Sequence, residues 1–172
     1  MTKYKPEYTP GDKLVHRNYG IGQIDSIEFK PMQGVEVECY KVKTDYGFYW
    51  FKLSDIDNPR IHPLASQELI NELVKILRSV PQGLNNDPRQ WKERIEEVHK
   101  GWDILDLGSL VRDLSALKST KKLNQIQNKA LKNSKDRLLQ EWAAGLEEDV
   151  NSIRSKLNTY LRESKALILN EA

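Results

Sequence analysis

The hydrophobic period of this chain switches once along its length, and that switch limits the folds open to it. Val35-Glu36-Val37-Glu38-Cys39-Tyr40-Lys41-Val42 alternates over eight residues, as a half-buried strand does. Leu69, Ile70, Leu73, Ile76 and Leu77 instead recur at the spacing of one helix face, and everything after them reads helical. A chain patterned this way places its strands first and its helices second, each packing on its own kind.

Within the strand half, Lys13-Leu14-Val15-His16 and Gly22-Gln23-Ile24-Asp25-Ser26-Ile27 flank a turn at Asn18-Tyr19-Gly20. Asp45-Tyr46-Gly47 supplies the next turn, and Phe48-Tyr49-Trp50-Phe51 opens the following strand. Four or five short strands within about fifty residues fit a small antiparallel barrel of Tudor or SH3 type. Glycines at 11, 20, 22 and 34 suit its corners.

Asp57-Asn58-Pro59-Arg60 closes this half, and Ser66 caps the first helix. Asp87-Pro88-Arg89-Gln90 starts a second, with a short acceptor at the cap and proline at the first helical position; Gly101 is its expected stop. A third uses Ile104, Leu107, Leu110, Val111, Leu114 and Leu117. A fourth begins at Asn124, with Gln127 completing a capping box, and buries Leu131, Leu138 and Trp142. The fifth is expected from Leu146, with Ile153, Leu157, Tyr160, Leu161 and Ile168 on one side. The fold class is therefore α+β: a small barrel, then an all-α bundle of about five helices. The expected domains are a flexible leader at 1–9, the barrel at 10–60 and the helical domain at 61–172. Internal repeats and low-complexity tracts are absent from the sequence.

Charge is distributed unevenly. Net charge is only +2, yet residues 112–137 hold eight basic side chains against two acidic ones. Such a run can hold a polyanion by releasing its counterions, or it can be an ordinary solvated helix surface. Single Cys39 forbids an internal disulfide framework and reads as a core filler, and no Cys/His spacing suits zinc. His16, His62 and His99 fall in separate elements without partners at triad spacing, so the sequence points away from an enzyme, a cofactor or a metal. Neither an export signal nor an apolar run of roughly 20 residues is present, and a cytoplasmic location is expected.

Two aromatic features remain as candidate surfaces. In Phe48-Tyr49-Trp50-Phe51, alternation turns two rings outward, to a partner or to a cover supplied by the same chain. Trp91 shares a helix face with Ile95 and Val98, as a packing anchor would; beside Lys92 and Arg94 it could also be an apolar wedge for a distorted base step.

Four segments in order carry a resemblance. Pro10-Gly11-Asp12-Lys13-Leu14-Val15-His16-Arg17-Asn18-Tyr19-Gly20-Ile21-Gly22-Gln23-Ile24 resembles the start of the RNA-polymerase-interacting domain shared by CarD/CdnL transcription regulators and transcription-repair coupling factors. Asp87-Pro88-Arg89-Gln90-Trp91 is similar to the tryptophan segment of the CarD helical domain. Leu110-Val111-Arg112-Asp113-Leu114 resembles its Arg-Asp-Leu helix, and Leu123 through Glu141 aligns without a gap. The resemblance implies a stand-alone, monomeric regulator in the cytoplasm, at the nucleoid with RNA polymerase. It further implies docking of the barrel on the polymerase β subunit through Lys30, Trp50 and Phe51. The helical domain would meet promoter DNA at the upstream edge of the bubble, with Trp91 wedged in the minor groove and Lys92 and Arg94 on phosphates, so that the open complex is stabilised. The alternative is a polymerase-associated interaction module with no DNA role. Several positions depart from the family pattern: Lys52 or Leu53 stands where a docking-strand proline is usual, Glu93 and Glu96 stand where Arg or Lys is common, and Trp102 replaces a small residue.

Overall fold

A computed structural model describes residues 7–85 and 87–170. The boundary between its two compact units falls between Leu64 and Ala65.

The first unit is an antiparallel sheet of β1 (Lys13–His16), β2 (Gly20–Met32), β3 (Val35–Thr44), β4 (Gly47–Lys52) and β5 (Ile61–Pro63), with a short 3-10 turn at Leu53–Asp55. Its order is β4-β3-β2-β1-β5, so β4 and β5 are the two edges and the expected barrel stays open as a sheet. The alternating side chains Leu14, Ile24, Tyr40, Val42 and Phe51 meet in one core with Leu53 and Ile61. Gly22 lies against β3 so closely that an added Cβ would sit 2.5 Å from Val42 Cγ1. β2 runs well past the expected Ile27, its residues 28–32 pairing with residues 39–35 of β3, and a register shift between Ile24 and Ser26 leaves Asp25 out of the ladder. Cys39 is buried, and burial raises its thiol pKa.

The second unit contains α1 (Gln67–Arg78), α2 (Pro88–Gly101), α3 (Ile104–Thr120), α4 (Gln125–Leu146) and α5 (Val150–Asn170). Their starts follow local chemistry. Ser66 accepts from Leu69 N, Asp87 from Arg89 N, and Asn124 with Gln127 forms a reciprocal capping box. α3 is the central helix: Leu107, Leu110, Val111, Leu114 and Leu117 are all fully buried. Gly108 admits α1 at close range, since a Cβ there would stand 2.4 Å from Leu73 Cδ1.

Two helix ends differ from expectation. α2 passes through Gly101, and the left-handed residue is Trp102, at φ 54. An L residue pays about 1–2 kcal/mol there; here the Trp102 ring stacks on His99 at 4.4 Å and lies under the Arg137 guanidinium at 5.4 Å. Leu146 ends α4 rather than beginning the last helix, because Glu147 turns left-handed at φ 53 and returns its N–H to Ala143 and Ala144.

Candidate functional site

In the first unit, strand alternation sorts the four aromatics of β4. Tyr49 packs against His16 and Tyr19, and Phe51 tilts onto Tyr40 at 4.9 Å in the core. Phe48 and Trp50 face out, 48% and 37% exposed. A charged lattice fixes this outer pair. Lys30 Nζ stands 4.1 Å from the Trp50 ring centre, while Trp50 Nε1 donates to Glu28 Oε2 at 3.3 Å. Lys41 reaches Glu28 at 3.3 Å and covers the Phe48 ring at 4.6 Å. The Trp50 hydrogen bond, aided by Lys41, holds the Glu28 carboxyl below its ordinary pKa. The result is a pre-set patch in which the rings of edge strand β4 are held by charges of β2 and β3, suited to holding a protein surface. Lys30 and Trp50 thus come together. Phe51 does not join them: only 8% exposed, it contributes core packing and strand backbone, not a docking ring. Phe29 is 65% exposed near the end of β2; the alternation Glu28-Phe29-Lys30 carried that signal, but it lies beyond the expected strand.

In the second unit, Trp91 lies in the core beside Ile95 and Val98 and is only 3% exposed. Arg94 sits 5.2 Å from the Trp91 ring centre and bonds Asp113 Oδ2 at 2.7 Å. Asp113 is fully buried, and Arg112 grips the same carboxylate through Nε at 2.7 Å and Nη2 at 3.2 Å. Gln82 N adds a fourth donor at 2.9 Å, while Arg112 Nη1 reaches Ser79 Oγ at 2.6 Å. The carboxylate therefore ties α2, α3 and the chain following α1 into one network. Arg94 is a structural link here rather than an open phosphate contact. Lys92 is free to point outward, 61% exposed and 4.0 Å from Glu96.

A hollow of about 360 Å³ opens beside the indole, lined by Pro88, Arg89, Trp91, Lys92, Ile126 and Gln127 among others. Indole Nε1 is buried without a hydrogen-bond partner, but Trp142 Nε1 is too, so the orphan donor is no mark of function. The basic run 112–137 does not form one face: Arg112 is consumed by Asp113, and Arg137 bonds Glu141 at 2.6 Å. The Asp113 network is not legible in the sequence because its members lie far apart along the chain, 31 residues for Gln82–Asp113 and 33 for Ser79–Arg112.

Among the described residues no cluster of three His, Cys, Asp or Glu side chains could hold a metal ion, and no helix is long and apolar enough to cross a membrane. A small sheet with a ring-and-charge patch, followed in the chain by a helical bundle tied through a buried Arg–Asp network, defines a two-part binding protein. Residues 8–47 match the CarD-like/TRCF RID domain, and residues 72–158 match the CarD C-terminal domain. The chain belongs to the CarD family of RNA-polymerase-interacting transcription regulators, whose domains are not enzymes. Lys30, Trp91, Lys92 and Arg94 fall inside the matched segments, whereas Trp50 and Phe51 lie just beyond the first. No curated protein matches the chain.

Proposed function

We propose that this protein docks on the RNA polymerase β subunit through the Lys30–Trp50–Phe48 patch and stabilises the open promoter complex from that position. It would act in the cytoplasm at the nucleoid, as a monomer with its helical unit, which begins at Ala65, toward DNA. The patch carries the reading: two exposed rings, each under a lysine, on the unpaired edge of a sheet whose preceding strands match a polymerase-interacting family. The edge strand offers backbone donors and acceptors, and the rings offer apolar area at small entropic cost. Replacing Trp50 and Phe48 with serine should weaken binding to the isolated β lobe at least about tenfold without lowering thermal stability, since neither ring is in the core.

A wedge action by Trp91 has a definite energetic condition. Withdrawing a core tryptophan costs about 3–5 kcal/mol, the usual cost of its loss. At that cost the exposed-ring state holds below about one molecule in a hundred, and melted DNA must stabilise it by contact. Lys92 and the hollow beside the ring offer a place for such contact. The burial of Trp91 favours the second reading, a polymerase-associated interaction module with no DNA role. Trp91→Phe separates them, because phenylalanine preserves most of the apolar packing. Under the wedge reading the open complex collapses faster with the variant than with the wild type; under the second reading the lifetimes agree.

A further inference from the structure

The N–H groups that converge on the Asp113 carboxylate differ in what their departure would leave behind. Oδ1 accepts from Gln82 N at 2.9 Å and Arg112 Nε at 2.7 Å, and Oδ2 from Arg112 Nη2 at 3.2 Å and Arg94 Nη2 at 2.7 Å. Arg112 and Asp113 alone make a neutral pair, so Arg94 is a surplus cation. Its side chain is 32% exposed against 6% for Arg112. Should Arg94 leave, the buried carboxylate keeps Gln82 N, both Arg112 contacts and its counter-charge. The reverse does not hold, since losing Arg112 would strip the pair of its buried member.

The same guanidinium covers Trp91. A helical side chain leans back over the turn before it, which carries Arg94 across the Trp91 ring at 5.2 Å from its centre. A partly exposed cation thus forms an outer layer over a ring only 3% exposed. We propose that Arg94 is a positioning residue for Trp91: a clasp whose ion pair with Asp113 holds the indole in its seat, and whose release lets the ring out while the bundle stays folded. Its use at a promoter rests on the wedge reading above, whereas the clasp itself is a property of the free chain. Trp142 supplies the internal comparison. It is 1% exposed and stacks with Tyr160 at 6.2 Å, and among the described residues no cation stands over its ring. Both indole Nε1 groups are buried without a hydrogen-bond partner. Each N–H therefore exchanges with water only when its own seat opens, and only the Trp91 seat is closed by a removable charge.

The test is indole N–H hydrogen exchange, followed by NMR on the full chain carrying nitrogen-15 tryptophan, with resonances assigned through Trp91→Phe and Trp142→Phe. Arg94→Gln should speed Trp91 exchange at least about tenfold and leave Trp142 within about twofold of wild type, because a local opening frees only the ring it uncovers. Arg94→Lys keeps a charge within reach of Asp113 but lacks the planar fork, so its Trp91 rate should fall between those of wild type and Arg94→Gln. Equal acceleration of the two indoles would overturn the proposal, since Arg94 would then only support the bundle. Wild-type Trp91 exchange in both variants would overturn it as well. Open-complex lifetime, measured with Arg94→Gln, keeps the clasp apart from the wedge. A freed Trp91 supports the clasp at any lifetime, and an unchanged lifetime then counts against the wedge reading alone.

Discussion

Asp113 is the residue on which the helical unit most depends. Its carboxylate is fully buried and accepts from Gln82 N and from both Arg94 and Arg112. Removing its charge leaves Arg112, 5% exposed, without its counter-charge, held only by the neutral Ser79 hydroxyl and Ile76 carbonyl. Asp113→Asn should therefore cost about 3–5 kcal/mol in chemical denaturation, the range for breaking a buried pair. Trp91→Ala should cost a similar amount by opening a cavity, whereas Trp91→Phe should cost less. His99 gives a pH signature. Burial lowers its pKa below the ordinary 6.5 while it bonds Ser134 Oγ at 2.9 Å. The unfolded chain then binds the proton more readily, so stability is full above the unfolded pKa and declines as pH falls from about 6.5 to the lower folded value. His99→Gln should flatten that part of the stability–pH curve measured by denaturant midpoints.

At the scale of elements, the parts that were legible are those written locally. Ser66, Asp87 and the Asn124/Gln127 box announce their helices because a cap acts over three residues. The alternation of β4 likewise sets Phe48 and Trp50 against Tyr49 and Phe51, while the core of the sheet decides that Phe48 and Trp50 are the outward pair. The ends of α2 and α4 were not legible, since both use a non-glycine left-handed residue. Trp102 is held there by the His99 ring of α2 itself and by Arg137 from α4. Glu147 has no such ring contact and is exposed, so Glu147→Gly should raise stability by about 1 kcal/mol by relieving the backbone. Trp91 was ambiguous in the sequence for a similar reason. Its spacing with Ile95 and Val98 indicates a buried face, but only the position of α3 and α4 decides how deep the ring sits.

For the molecule as a whole, the family assignment and the geometry divide the functional account. The family supplies polymerase interaction; the structure adds an exposed ring pair under lysines in one unit and a closed tryptophan seat in the other. The charge run 112–137 illustrates what the sequence obscured. Its arginines turn inward to Asp113 and Glu141, so the run does not present one basic face. The central claim is that the first unit grips polymerase by its outward rings. Affinity of the full-length chain for the isolated β lobe tests it most directly, comparing wild type with Phe48→Ser/Trp50→Ser. A loss of at least about tenfold at unchanged melting temperature is the expected result. Equal affinity in the two proteins would contradict the claim.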